Sequence, residues 1–189
     1  MNVDFDFDSR PKKPRDSQRQ KLYDAELKVF GDSTGRRPVE DDLATVAQMQ
    51  AFVDKLMASA WWARRWPRVR CIEVRPGFGH SRATGSFWSK VVQMPKWARS
   101  RNVLVHEIAH CVSSPMEGGA HGWFFASNYL DLVEHVFGKA TADELRASFK
   151  EHRVKYTAPR AKRVLTSEER EVLVDRLAQA RLQRSIDVG

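Results

Sequence analysis

The sequence predicts an α+β domain with extra helices at its N- and C-terminal ends. Two short segments rich in β-branched and aromatic residues, 69–74 and 86–94, lie between segments whose apolar residues recur at helical spacing. The chain has 189 residues, 42% of them hydrophobic, so it is long enough and apolar enough to bury one core. A small twisted sheet packed against helices is the expected architecture.

The N-terminal part is predicted to contain a tail and two helices. Residues 1–16 combine prolines with mixed charges and show no periodicity, which is typical of a flexible tail. We expect a helix that is capped by Ser17, runs to Phe30 and ends at Gly31. A longer helix is expected over about 40–60, where the apolar residues keep to one face.

The two predicted strands, 69–74 and 86–94, should pair with each other. Glycines between them supply the turns, and Pro95 ends the second strand. Four helices should follow, the first of them capped by Ser100. They cover 100–114, 121–137, 142–152 and 166–184.

These elements indicate three regions along the chain. The tail covers 1–16, the folded domain covers 17–153, and a basic connector with a C-terminal helix covers 154–189. No run approaches 18 uncharged apolar residues, and the N-terminus lacks the apolar stretch of a secretory signal, so we expect no membrane span and no export by that route. Two cysteines are too few for a disulfide framework or a four-cysteine zinc ribbon, which favours a reducing, cytoplasmic location.

The positive charge of the chain is concentrated in one segment. The formal net charge is +8, and residues 61–101 alone hold ten basic residues against one acidic residue. The same segment contains five of the six tryptophans. Interleaved arginines and aromatics suit phosphate contacts and base stacking, so nucleic acid is a candidate partner of segment 61–101. The favoured interpretation of the tryptophans is nevertheless that most of them pack the sheet against the helices.

The helix predicted after Ser100 carries the pattern H-E-x-x-H, formed by His106, Glu107 and His110. Residues four apart lie on one helix face, so both imidazoles can reach one metal ion while Glu107 projects beside it. Neutral imidazole is a good ligand for Zn²⁺, and Glu107 is placed to accept a proton from a water that the cation activates. The flanking residues are apolar, so these polar side chains need a partner that a metal would supply.

Catalytic zinc usually takes three protein ligands, and His121 is the predicted third. A proline and two adjacent glycines after the H-E-x-x-H helix let the chain turn back and begin a new helix beside the first. Glu134 and Glu117 are the alternative third ligands. Asp131 and Glu134 are also candidates for carboxylates that orient an imidazole.

Five further residues are given other roles. Cys111 should lie in the core, and His135 and His80 are expected on the surface or in packing contacts rather than at a metal. Tyr129 and Tyr156 are weak candidates for assisting the metal in the transition state. The candidate site is therefore Glu107 as the catalytic base and His106, His110 and His121 as the metal ligands.

The motifs resemble those of a known family. His106-Glu107-x-x-His110 followed by His121-Gly122-x-x-Phe125 is similar to the pattern of the SprT-like group of zincin metallopeptidases. The run from Arg15 to Arg19, together with the same motif, also resembles small bacterial and phage proteins described as putative metallohydrolases. The first resemblance rests on about 20 residues and the second extends over about 17–137.

The resemblance implies a zincin-like fold, a Zn²⁺ ion on the three histidines and Glu107 as general base. It also implies that the strand around Lys90 to Met94 is the edge strand that pairs with an extended peptide substrate. The expected activity is zinc-dependent hydrolysis of peptide or amide bonds. The alternatives are a non-enzymatic, basic nucleic-acid-binding protein with a structural metal, and a protease directed at DNA-bound or regulatory proteins.

Overall fold

The computed structural model describes residues 15–31, 43–79, 81–159 and 166–186. The chain forms two compact units, Met1–Ala158 and Pro159–Gly189. Within the described residues there are seven α-helices and one three-stranded mixed sheet, which confirms the predicted α+β class.

The described residues of the first unit form six of the α-helices, the sheet and one short 3-10 helix. Its elements are α1 (Arg19–Phe30), α2 (Val46–Met57), α3 (Ala60–Arg65), β1 (Glu73–Pro76), β2 (Thr84–Gly85), β3 (Val91–Met94), the 3-10 helix (Lys96–Ala98), α4 (Arg101–Val112), α5 (Trp123–Phe137) and α6 (Lys139–Glu151). The second unit contains α7 (Ser167–Ile186), whose described side chains are exposed.

The sheet has the order β1-β3-β2. β1 pairs with β3 in parallel, with Val74 opposite Val92, which confirms the predicted pairing of the two segments. β2 pairs with the other side of β3 in antiparallel register, with Gly85 opposite Val92. The strand predicted at the sheet edge, around Lys90 to Met94, is therefore the central strand, and that prediction is wrong because β2 occupies the edge beside it.

The second predicted strand is also shorter than expected at its start. Residues 86–90 form a turn in which the Lys90 amide donates to the Ser86 carbonyl over 2.9 Å. Lys90 has a φ of 55°, a left-handed conformation that interrupts extended backbone. The local turn thus outweighs the β propensity of the aromatic residues in this stretch.

The helix expected over 40–60 is α2, which is shorter than expected because it ends at Met57; of α3, only Ala60 lies in the expected range, and residues 40–42 lie outside the described part. Thr45 caps α2 through a reciprocal capping box with Gln48. Ser59 then begins α3, because its hydroxyl accepts a hydrogen bond from the Trp62 amide over 3.1 Å. A side chain that caps a new helix interrupts the apolar periodicity which had suggested one continuous helix.

The caps of the other helices agree with the sequence only in part. Gln18, rather than Ser17, is the N-cap of α1. Ser100 occupies the N-cap position of α4, as predicted, but its hydroxyl makes no capping hydrogen bond. The helix expected over 142–152 begins earlier, at Lys139.

α4 lies in the centre of the first unit, where it packs against α5 and against β2 and β3. Eight of its residues are buried, including His106 and Glu107. Its apolar side chains, such as Leu104 and Ile108, are inaccessible to solvent, and each such burial contributes about 1.5–3 kcal/mol of transfer free energy. The packing that stabilises α4 therefore also carries the H-E-x-x-H residues into the interior.

α1 packs against α6, and this contact fixes the N-terminal helix on the domain. Leu22 and Ala25 of α1 are completely buried, as are Leu145 and Phe149 of α6. The side chain of Ser148 adds a hydrogen bond of 3.0 Å to the Ala25 carbonyl. α1 is thus part of the core rather than a peripheral extension.

Among the described residues, no helix combines the length and the apolar character that crossing a bilayer requires.

We expect the first unit to fold without the second. Every buried member of the core cluster lies between Leu22 and Val154. A chain ending at Ala158 should therefore keep the midpoint temperature of unfolding within a few degrees of that of the full chain. Circular dichroism melting of both chains measures this, and a shortened chain without a cooperative transition would contradict it.

Candidate metal centre

The H-E-x-x-H residues share one face of α4. His106 and His110 are one helical turn apart, with ring centroids separated by 5.0 Å. His106 and Glu107 are 7% and 6% exposed, whereas His110 is partly exposed. Helical periodicity thus produces the pair of neighbouring imidazoles that the sequence predicted.

His121 reaches the same place through a tight turn before α5. Gly122 is the N-cap of α5, and a Cβ atom at this position would lie 2.2 Å from the Gly118 carbonyl oxygen. Only glycine fits so close to the backbone of the preceding loop. The turn brings the His121 ring within 4.7 Å of the His110 ring, measured between centroids.

The three histidines therefore form one cluster. One ring nitrogen of each lies within 4.8 Å of its counterparts, which is close enough for all three to bind a single metal ion. Phe125, 1% exposed, packs against the whole cluster, with its ring centroid 5.0, 4.3 and 5.1 Å from those of His106, His110 and His121. The phenylalanine of the H-G-x-x-F motif thus provides the apolar surface against which the three imidazoles pack.

Two carboxylates orient two of the imidazoles. The Nδ1 atom of His106 lies 2.7 Å from an oxygen of Glu26, and the Nδ1 atom of His121 lies 2.8 Å from an oxygen of Asp16. An Nδ1–H that donates to a carboxylate leaves Nε2 as the atom with a free lone pair. This is the hydrogen bonding that metal-binding histidines ordinarily have, so the donor set fits a divalent cation.

The segment before α1 is attached to the site by Gln18. Its amide nitrogen donates to the carbonyl oxygens of His121 and Lys155, over 2.7 and 2.9 Å. Its amide oxygen accepts from the Lys155 backbone amide over 3.0 Å. Asp16, the last residue of the segment predicted to be a tail, is held next to His121 in this way.

Sequence reasoning missed Asp16, Gln18 and Glu26. Asp16 and Gln18 belong to the Arg15–Arg19 run that carried the second family resemblance, which was the available signal. Glu26 gave none, because a glutamate on an amphipathic helix is usually a solvent-exposed residue. The hydrogen bond joins residues 80 positions apart in the sequence, so local pattern does not reveal it.

The carboxylates that the sequence proposed lie elsewhere. Asp131 forms an ion pair of 2.6 Å with Arg65, and Glu134 lies 3.5 Å from Arg146. Glu117 is exposed. The prediction that Asp131 or Glu134 orients an imidazole is therefore wrong. The histidine cluster faces α1 and the residues just before α1, and it does not face the later turns of α5.

The other residues that the sequence analysis named are one cysteine, two histidines and two tyrosines. Cys111 is buried, with its sulfur 4.0 Å from the Val91 carbonyl oxygen, which confirms it as a core residue. His135 is exposed and stacks on Trp61, and His80 lies outside the described residues. Tyr129 is 1% exposed and hydrogen-bonds to Glu26, whereas Tyr156 packs against Phe149.

Burial and neighbouring charges set the proton affinities of the cluster. Burial lowers the pKa of His106, but the charge and hydrogen bond of Glu26 outweigh it and raise that pKa to about 9. Burial and the charge on His106 lower the pKa of His110 well below its ordinary value, and the same two causes lower that of His121. A metal ion bound to His106 would therefore compete with a proton for the imidazole.

Glu107 opens onto a cleft of about 400 Å³. Burial raises the pKa of the Glu107 carboxyl group, whereas a backbone hydrogen bond from Gly85 partly lowers it. The wall opposite α4 includes Tyr23 of α1, whose hydroxyl oxygen lies 3.5 Å from His121 Nε2. Burial, followed by the charge of Glu107, raises the pKa of Tyr23 to about 12.

β2 lies directly on the H-E-x-x-H helix. A Cβ atom at Gly85 would lie 2.0 Å from the Glu107 carbonyl oxygen and 3.0 Å from the Cβ atom of His110. The first clash is with backbone, so no side-chain rotation could relieve it. Glycine at position 85 is thus what allows the sheet edge to approach the H-E-x-x-H helix.

The aromatic residues of segment 61–101 fall into two groups. Trp62 and Trp66 are 2% and 7% exposed, which confirms the packing interpretation for these two. Phe78, Trp88 and Trp97 are exposed, by 80%, 68% and 47%. Nucleic-acid binding by this segment stays a prediction.

Comparison of the chain with protein-family models, curated proteins and solved structures finds no match. The features of the chain that bear on its function are therefore the three imidazoles, their carboxylate partners and Glu107.

We expect Glu26→Gln to weaken metal binding by about 10- to 100-fold, because the His106 Nδ1–H loses a charged acceptor. Zinc competition with a chromophoric chelator measures the change. Asp24→Asn is the matched control, since Asp24 is an exposed acid of the same helix that bonds to Gln20. Equal zinc affinity in Glu26→Gln and the control would contradict the orienting role.

Gly85→Ala should displace α4 from β2 and so disturb both stability and metal binding. We expect a loss of about 1–3 kcal/mol in the free energy of unfolding, the usual cost of overpacking. Urea denaturation and zinc content measure the two effects. In Gly79→Ala the new methyl group meets no atom within 4 Å, but the φ of 48° strains an alanine, so this control should lose some stability and keep its full zinc content. Full zinc content in Gly85→Ala would refute the close-approach argument.

Proposed function

We propose that this protein is a zinc-dependent hydrolase of peptide or amide bonds with a zincin-like fold. The observation that carries the proposal is the cluster of His106, His110 and His121, whose ligand atoms lie within 4.8 Å of one another beside Glu107. A cleft leads from solvent to Glu107, so a substrate can reach the carboxylate. A purely structural metal site would not need such an opening.

The donor set supports zinc as the metal. Three imidazole nitrogens with no thiolate and no carboxylate ligand are typical of catalytic zinc, which keeps one further position open. The apolar contact with Phe125 and the carboxylate partners of two rings hold the imidazoles in place before any ion binds. Such preorganisation is what a catalytic site requires.

Zinc, when bound, supplies a Lewis acid that polarises the substrate carbonyl and makes water acidic enough to lose a proton near neutral pH. The Glu107 carboxylate accepts a proton from the attacking water as the new C–O bond forms. It then passes that proton to the amide nitrogen as the C–N bond breaks. The products are a carboxylic acid and an amine, and Glu107 returns to its starting state.

The architecture supports the zincin-like assignment. The H-E-x-x-H helix packs against a small mixed sheet, and the sheet edge closest to it is β2. The cleft walls include Leu27, Phe30 and Val103, so the proposed substrate is a peptide or protein segment with apolar side chains near the cleaved bond.

Glu107→Gln should keep zinc bound and abolish turnover, whereas His121→Ala should lose zinc. The amide of glutamine has nearly the shape of the carboxylate but cannot accept the proton, and removal of an imidazole removes a ligand. We would measure zinc per chain after purification and the cleavage of a mixed peptide library by mass spectrometry. The control is Glu134→Gln, which changes an exposed glutamate outside the cluster.

Two results would contradict the proposal. Turnover retained by Glu107→Gln would remove the assigned base. A wild-type protein that holds one zinc but cleaves no peptide in the library would indicate a structural metal, which is the non-enzymatic alternative.

A further inference from the structure

We propose that Tyr23 is a further catalytic residue, whose hydroxyl donates a hydrogen bond to the carbonyl oxygen of the scissile amide as that oxygen becomes negatively charged. This inference rests on the proposed hydrolytic function. It assigns a role to α1, which the H-E-x-x-H motif does not include.

The position of the hydroxyl supports this role. It lies 3.5 Å from Nε2 of His121, the nitrogen that remains free for a metal because Nδ1 bonds to Asp16. The Tyr23 ring also lies beside His106, with their centroids 5.8 Å apart. A group held by the three imidazoles is therefore within reach of the phenol.

Tyr23 also faces the substrate side of the site. Its side chain is 36% exposed and lines the same cleft as Glu107. Gln20, Arg82 and Asn102 are other donors that line the cleft, but among the described cleft residues the Tyr23 hydroxyl is the uncharged donor that lies against an imidazole of the cluster.

The other two tyrosines of the chain cannot take this role. Tyr129 is buried beneath the site, where its hydroxyl bonds to Glu26. Tyr156 packs against Phe149, with ring centroids 6.0 Å apart, and is not a cleft residue. Sequence reasoning proposed these two tyrosines and did not consider Tyr23 for this role, which no sequence motif marks.

The fold holds the donor rigidly. Glu26 follows Tyr23 by almost one helical turn and bonds to His106, while the buried side chains of Leu22 and Ala25 anchor α1 in the core. One helix thus carries both a carboxylate that orients a histidine and a phenol that points at the reaction centre. A donor fixed in this way needs little reorganisation as charge develops.

The step balances without any further reactant. As water adds to the carbonyl carbon, its proton goes to Glu107 and the π electron pair of the C=O bond moves to the oxygen. The Tyr23 O–H bond stays intact and donates to that oxygen, since a phenol keeps its proton at neutral pH. When the C–N bond breaks, the pair returns to form the carboxyl group and the hydrogen bond is released.

The test compares Tyr23→Phe with Tyr156→Phe, a matched loss of one phenolic hydroxyl away from the cleft. The first readout needs no substrate. Acetohydroxamate, an anionic ligand that binds metals through oxygen, is titrated into the cobalt-loaded protein. Its binding is followed by the change in the visible spectrum of the cobalt ion. We expect Tyr23→Phe to weaken this binding by roughly 10- to 100-fold, the effect of losing one hydrogen bond to a charged group. Tyr156→Phe should bind acetohydroxamate like the wild type.

The second readout separates kcat from KM on a peptide found by the library. Tyr23→Phe should lower kcat by about 10²- to 10³-fold, as loss of one oxyanion donor does, with KM changed less than about threefold and zinc content unchanged. Unchanged acetohydroxamate affinity in a metal-loaded Tyr23→Phe protein overturns the inference, whatever the peptidase result.

Two further outcomes are decisive. A tyrosinate-to-copper absorption band in the copper-loaded wild type that disappears in Tyr23→Phe would make Tyr23 a metal ligand, and so overturn the donor role. If the wild type cleaves no peptide but its acetohydroxamate binding depends on Tyr23, peptide hydrolysis fails as the function while the donor role stands.

Discussion

The hydrogen bonds from His106 to Glu26 and from His121 to Asp16 connect the N-terminal segment to the centre of the domain. Both imidazoles are buried, and a buried polar group without a partner costs about 1–3 kcal/mol. The two carboxylates remove that cost and at the same time fix which ring nitrogen of each histidine stays free. Without α1 and the residues before it, His106 and His121 would lose the carboxylates that fix the orientation of their rings.

Three helices and one strand meet at this point because each has a packing reason to be there. α1 is held by α6, α5 begins at a turn that only glycine permits at position 122, and β2 approaches α4 where Gly85 leaves room. Phe125 then fills the space below the imidazoles. Apolar contacts thus hold the polar cluster in position, although a protein interior ordinarily disfavours polar groups.

Several features could be predicted from the sequence because they depend on short-range periodicity. The strand pairing, α4 with its two histidines, the turn back to His121 and the α5 stop at Gly138 all follow from spacing and from glycine and proline positions. The predicted edge strand was wrong because a two-residue strand such as β2 has too little sequence to show a pattern. The helix expected over 40–60 is present as α2 but ends early, at Met57, because the Ser59 hydroxyl caps a second helix.

The sequence by itself determined the chemistry that is available: two histidines and a glutamate on one helix face, a third histidine after a tight turn, and a chain able to form an α+β core. Only the tertiary structure decided which carboxylates orient the histidines and which tyrosine faces the cleft. Asp16 and Glu26 are 105 and 80 residues away from the imidazoles that they bind. Local periodicity fixes which side chains share one face of a helix or strand. Contacts between residues so far apart in sequence depend instead on how whole helices and strands pack, and this packing is determined by the burial of the entire core.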